Sequence, residues 1–221
     1  MANKHRDYPD NGYPSVTIVI GQLASYGLME WFKRTPYNEI ISTSKRGREI
    51  GSQMHETIQE FIQTGKARID TEYPDEITTA LKSFQLFKSE NKEFELQRSE
   101  IAMTSDKYKV NGTTDCLALH NGELWIADWK SAACGDKDKP AIYDEAKIQV
   151  SAYCNILNEL EGKEIKNALI VAIAKDKIAY NTYVLDEDEI NGYFNEVFLP
   201  LVRILEYKQT IKERNKNGKS N

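Results

Sequence analysis

Asn121-Gly122 constrains the fold of this chain more than any other pair of residues. It separates two runs dense in β-branched, aromatic and aliphatic residues, Gly112 to His120 and Glu123 to Ser131. A type I′ turn needs positive φ at both central positions, and Asn-Gly meets that demand, so the stretch predicts a tight β-hairpin. With a two-residue loop, His120 faces Glu123 and residues equally far from the turn pair off. Asp115 then stands opposite Asp128 in a non-hydrogen-bonded position, with Cβ atoms about 4.5–5.5 Å apart. Strand side chains alternate, so Lys130 projects from the face of Asp128, together with Thr113, Leu117, Leu119, Leu124 and Ile126. That face is apolar near the turn and charged at its far end.

Like charges opposed across a hairpin are destabilising, so the pattern calls for a compensating charge. A hard divalent cation supplies it. Mg²⁺ takes one or two carboxylates plus water and substrate phosphate, and an ammonium group beside it orients or helps deprotonate an attacking water. The triplet Asp128-Trp129-Lys130 alone reads as an ion pair on a surface hairpin. The register that brings Asp115 to Asp128 is what favours the metal.

With 221 residues, 40% of them hydrophobic, and no repeat, the chain is long enough to bury its own core. One domain over residues 1–221 is expected, with a helical part (about 14–91), a core (about 93–185) and a carboxy-terminal helix with a basic tail (about 187–221). The longest apolar run, Ala168 to Ala174, falls well short of the about 20 residues that cross a bilayer, so no membrane partner is expected. The opening residues lack the apolar core of a signal peptide, which predicts a cytosolic protein. Cys116, Cys134 and Cys154 are widely spaced and form neither a disulfide framework nor a metal pair, and are too few for a four-thiolate iron–sulfur cluster. A net charge of −5 excludes a whole-surface nucleic-acid binder. Basic residues cluster only locally, at Lys33-Arg34, at Lys45 to Arg48 and in the tail from Lys208 to Lys219, where solvated faces are the ordinary reading.

Ser15 is placed to cap a short helix to about Ala24, although the β-branched content there suits a strand as well. A second short helix runs from Gly27 to Arg34, before Pro36. Ile50, Met54, Ile58, Phe61 and Ile62 follow helical spacing, predicting a helix from about Ser44 to Gln63 that Gly65 ends and that carries His55 on the flank of its apolar stripe. Gly47 and Gly51, costly in a helix, suggest the close approach of another group. A further helix spans Pro74 to about Asn91, and Glu93 to Met103 reads as a strand leading to the hairpin. The polar loop from Ala132 to Pro140 is expected to move until substrate binds. A helix from Tyr143 to Glu161 sets Gln149 and Tyr153 one turn apart, with Lys147 nearby. Strands at Asn167 to Ala174 and Lys177 to Leu185, joined across Lys175-Asp176, precede a helix from Glu187 to about Lys212 that Pro200 kinks.

Taken in order, Gly51-Ser52-x-x-His55, Gly112-x-x-Asp115, Asp128-x-Lys130 and Gln149-x-x-x-Tyr153 resemble the PD-(D/E)xK nuclease superfamily, in its RecB-like exonuclease branch. Pro14-Ser-Val-Thr is similar to the opening of the small viral and mitochondrial genome maintenance exonucleases of that branch. The resemblance covers roughly Pro14 to Leu185. It implies an α/β (α+β) fold, a central mixed sheet flanked by helices with a restriction-endonuclease-like α-β-β-β-α-β core. It implies Asp115, Asp128, the Trp129 carbonyl and His55 as ligands of Mg²⁺ or Mn²⁺, with Lys130 acting on the attacking water. Gln149 and Tyr153, with Ser52, Ser131 and Lys147, would lie against substrate. Several relatives hold an iron–sulfur cluster, for which this chain lacks the cysteines.

The expected activity is metal-dependent exonucleolytic hydrolysis of DNA, single-stranded or end-bearing, in replication, recombination or repair. An endonuclease of the same superfamily, structure-specific or nicking, is the first alternative. A non-catalytic DNA-binding module of a recombination complex is the second.

Overall fold

The computed structural model describes residues 8, 10–23, 26–65 and 74–217. Ala24 and the tail residue Lys219 lie outside them, but the first helix, expected to reach about Ala24, already ends at Ile20, with Gly21 as its cap. Four helices come first, α1 (Val16–Ile20), α2 (Tyr26–Arg34), α3 (Tyr37–Thr64) and α4 (Asp75–Glu90). Then follow β1 (Phe94–Ser105), β2 (Val110–His120), β3 (Glu123–Ala132), α5 (Asp144–Glu161), β4 (Asn167–Ala174) and β5 (Tyr180–Leu185). The chain closes with α6 (Glu187–Gly192), a π-helical segment (Tyr193–Phe198) and α7 (Leu199–Asn217).

The strands form one sheet in the order β1-β2-β3-β4-β5. Consecutive pairs are antiparallel except β3 and β4, which run parallel because α5 carries the chain across between them. This is the expected mixed sheet flanked by helices.

Asn121 and Gly122 adopt φ of 51° and 83°, and the ladder runs as expected from His120↔Glu123 to Cys116↔Ala127. It stops one pair short of the two aspartates. From there β2 stays with β1 (Ile101↔Thr114) while β3 stays with β4 (Asp128↔Ile170), so the hairpin opens into a fork. Within the fork the Trp129 N–H donates to Asp115 Oδ2 at 2.8 Å.

Alternation along β2 and β3 divides their side chains between two cores. Leu117, Ile126 and Ile170 face α5, α1 and the carboxy-terminal helices, packing with Val16, Ile156 and Phe198. Cys116, Ala127 and Trp129 face α3 and α4, packing with Met54, Ile58, Phe84 and Phe87. The rings of Phe84 and Phe87 meet Trp129 edge-on at 5.5 and 6.0 Å. A buried Trp removes roughly 150–250 Å² from water, worth up to about 4–6 kcal/mol, so Trp129 anchors the strand that carries Asp128 and Lys130.

Asn111, 2% exposed, ties the amino-terminal segment to β2. Its side chain exchanges amide hydrogen bonds with Asn11, donates to the Tyr13 carbonyl and accepts from Thr104, while its backbone N–H donates to the Pro14 carbonyl.

Three elements differ from expectation. Helix α3 begins at Tyr37 rather than Ser44; its first turns expose their apolar residues (Tyr37, Ile41), so no apolar stripe marks them in the sequence. At the carboxy end a π segment precedes Pro200; the proline lacks an N–H and crowds the carbonyl four residues back, and a widened turn accommodates both. The connection between β4 and β5 is longer than two residues and holds the loop expected to be mobile. Asp176 accepts from the Cys134 and Gly135 N–H groups, both at 2.9 Å. Lys177 donates to the Lys137 carbonyl and Asn181 to that of Pro140. No helix among the described residues is long and apolar enough to cross a membrane.

Candidate metal centre

The fork gathers the charged residues. The stripe Ile50, Met54 and Ile58 fixes the roll of α3, and His55 next to it lies with Nδ1 3.3 Å from Asp115 Oδ1. Asp128 is fully buried, with the Lys130 ammonium against Oδ2, and neither of its oxygens makes a hydrogen bond of normal geometry. A buried charge left this way is expensive.

The protonation equilibria follow from this crowding. Burial pushes the Asp128 carboxyl up to about 6, helped by Asp115 and opposed by the Lys130 ammonium. Asp115 is also desolvated, yet His55, Lys130 and the Trp129 N–H hold its carboxyl below the usual carboxylate range. Burial alone would depress His55, but the Asp115 carboxylate outweighs it and raises the imidazole. Lys130 is likewise raised, because Asp128 and Asp115 more than offset its desolvation.

One acid was missed by sequence reasoning. Glu100 on β1 lies between the pairs Ser99↔Cys116 and Ile101↔Thr114, across the ladder from Asp115, with φ of 52°. That left-handed conformation costs a non-glycine residue about 1–2 kcal/mol. His55, Glu100 and Asp115 each offer a ligand atom, and these atoms lie within 4.8 Å of one another. Nitrogen and carboxylate donors at this spacing, beside a buried carboxylate without hydrogen bonds, fit a hard divalent cation such as Mg²⁺ or Mn²⁺.

Close packing connects the remaining motif residues. A Cβ on Gly112 would stand 2.9 Å from Tyr153 Cε1 and 3.3 Å from Val16 Cγ2, so β2 and α5 approach as they do only because position 112 has no side chain. A Cβ on Gly51 would meet Ser131 Oγ at 3.6 Å, which places this turn of α3 directly over the end of β3. Gln149 Nε2 donates to the Tyr153 hydroxyl at 2.7 Å. A cavity of about 340 Å³ opens between these elements, lined by Ser52, His55, Glu100, Asp115, Gln149 and Tyr153 among others.

The structure thus brings His55, Asp115, Asp128, Lys130, Ser52, Ser131, Gln149 and Tyr153 to one end of the sheet. The Trp129 side chain points into the opposite core, leaving only its main chain near the fork. Lys147 does not line this cavity; its ammonium pairs with Asp144 at 3.0 Å and lies 4.3 Å above the Tyr183 ring.

No protein-family model matches the chain. Along 96% of its length it is 25% identical to mitochondrial genome maintenance exonuclease 1 of Xenopus tropicalis, of which it spans 62%. Over 54% of its length it is 31% identical to the Mus musculus protein of the same name, of which it spans 34%. The chain therefore covers less than two thirds of either relative. A crystal structure from Eubacterium rectale, described as a candidate exonuclease, superposes with a TM-score of 0.53 at 15% identity, over 95% of this chain and 87% of that one. The fold is thus that of a known structure, and the sequence is similar, along nearly its whole length, to a protein named as an exonuclease.

Proposed function

We propose that the chain is a divalent-metal-dependent DNA exonuclease of the PD-(D/E)xK superfamily, RecB-like branch. The observation that carries the reading is Asp128, a fully buried carboxylate without a hydrogen bond, in a fork shared with Asp115 and His55. Lys130 offsets one charge of the crowded Asp115–Asp128 pair, and binding of a cation would relieve the remaining repulsion between the two carboxylates. Similarity to proteins named as exonucleases supports the same reading.

His55, Glu100, Asp115 and Asp128, with the Trp129 carbonyl, would hold Mg²⁺ or Mn²⁺. Such an ion supplies Lewis-acid stabilisation of the charged phosphate and lowers the pKa of water. The side chains do the rest. With Asp128 in contact, Lys130 keeps its proton and can orient a water or neutralise a phosphate oxygen. Whatever draws Asp128 away also removes what holds that proton, which frees Lys130 to take part in deprotonating the nucleophile. Gln149 and Tyr153, in hydrogen-bond contact at the cavity wall, offer polar groups to a phosphate. DNA is the substrate in this reading.

End-labelled single- and double-stranded oligonucleotides, linear against circular, with Mg²⁺, Mn²⁺ or EDTA, test it. Cleavage is expected only with metal and a free end. Lys130→Ala and Asp128→Asn should abolish it while the unfolding transition stays cooperative. Full activity in either variant would refute the mechanism, and cleavage of closed circles would assign an endonuclease instead.

A further inference from the structure

Beside the metal centre lies a second cavity, of about 600 Å³, between α2, the end of β3 and the start of α5. Lys130, Ser131 and Gln149 form its inner end, and Gln149 also lines the metal-site cavity, so the two spaces share a wall. Apart from Glu145, the rest is apolar: Leu28 from α2, Ala132 at the end of β3, Ala141 and Ile142 from the loop that follows, and Tyr143 and Ala146 at the start of α5. Leu28 is 47% and Tyr143 67% exposed, large apolar surfaces left beside a polar site.

We propose that this cavity is a nucleobase subsite, in which an unpaired base, next along the strand to the phosphate at Asp115 and Asp128, seats between Leu28 and Tyr143. The inference rests on the nuclease reading and adds to it. Its grounds are continuity and chemistry. A strand with a phosphate at the fork reaches the second cavity directly across the shared Gln149 wall. The cavity suits one kind of neighbouring group. A second phosphate would meet the Glu145 carboxylate and mostly hydrocarbon. A base presents flat apolar faces to Leu28, Ile142 and Tyr143 and a polar edge to Ser131 and Gln149. The volume lies within the about 300–1,000 Å³ of ligand pockets. The loop that leads to Ala141 and Ile142 is held by Asp176, Lys177 and Asn181, so this one wall stands in place before substrate arrives.

The test uses the intact protein with Ca²⁺ in place of Mg²⁺ and single-stranded oligonucleotides carrying 2-aminopurine at successive positions from the end. Stacking on Tyr143 should quench fluorescence strongly at one position. Tyr143→Ala should remove that quenching and weaken binding roughly 5- to 150-fold, the range of one base–aromatic stack. Ala141→Leu, which narrows the cavity without removing the ring, should do the same at that position alone. An abasic nucleotide there should weaken the wild type but add little to the loss in Tyr143→Ala. Quenching unchanged in both variants, or an equal abasic penalty in wild type and Tyr143→Ala, would overturn the subsite. Turnover of linear DNA by the wild type with Mn²⁺ is scored separately. Position-specific stacking without turnover would remove the nuclease reading and leave the subsite, and turnover without such stacking would do the reverse.

Discussion

Replacing Gly112 by alanine tests whether the glycine of one motif and the tyrosine of another are a single packing unit. The added Cβ would stand 2.9 Å from Tyr153 Cε1 and 3.4 Å from Cδ1. Carbon atoms in good contact lie about 3.5–4.0 Å apart, so at least roughly 0.6 Å must be found. Tyr153 has little room to yield, being 3% exposed and bonded through its hydroxyl to Gln149. Overpacking of this kind costs about 1–3 kcal/mol. Against it stands the about 0.4–1 kcal/mol that a Gly→Ala change contributes by restricting the unfolded chain. A net loss of about 1–2 kcal/mol is expected. At this chain length that lowers Tm by roughly 2–8 °C, measurable by urea or thermal unfolding. In a Tyr153→Leu background, where the ring is gone and the 3.3 Å approach to Val16 Cγ2 remains, Gly112→Ala should cost clearly less than in the wild type. A loss below about 0.5 kcal/mol, or the same loss in both backgrounds, would show that the close approach is not the reason for the glycine.

Glu100→Gln should weaken Mn²⁺ binding roughly ten-fold or more by calorimetric titration, because one charged donor is lost; unchanged affinity would remove Glu100 from the ligand set. Metal affinity should also rise with pH. Below about pH 6 Asp128 carries a proton that a cation must displace, so affinity should climb up to about ten-fold per unit there, and the raised His55, which also sheds a proton on binding, carries the rise to higher pH. Equal affinities at pH 5.5 and 7.5 would contradict the assignment. Asp176→Ala should leave the sheet intact, cost roughly 1 kcal/mol, and speed amide exchange at Cys134 and Gly135, whose N–H groups lose their acceptor; unaltered exchange there would mean that the loop is held by other contacts.

What could be read from the sequence was what local rules determine. Asn121-Gly122 set the turn, and the turn set the register as far as Cys116↔Ala127. Alternation assigned Asp115, Asp128 and Lys130 to one face. The fork could not be read, because it depends on a parallel pairing of β3 with β4, a strand that lies beyond α5. Glu100 was hidden for a related reason. Its place across from Asp115 follows only once the turn between Ser105 and Val110 is known, and Asp106-Lys107-Tyr108-Lys109 carries no Asn-Gly signal. Lys147 was grouped with the site by its nearness in sequence to Gln149, but helical rotation brings it to Asp144 and Tyr183 instead. Asp176 read as a plain turn residue because its acceptors' partners, the amides of Cys134 and Gly135, lie some forty residues earlier.

The amide clasp between Asn11 and Asn111 carries a consequence for biosynthesis. Its two halves are 100 residues apart. At about 5–20 residues per second, the leading stretch of the nascent chain waits roughly 5–20 s on the ribosome before its partner has even been polymerised. Until then Val16 and Val19 have no β2 and no α5 to cover them, so this is the interval in which a chaperone or a protease has its best access to the young polypeptide.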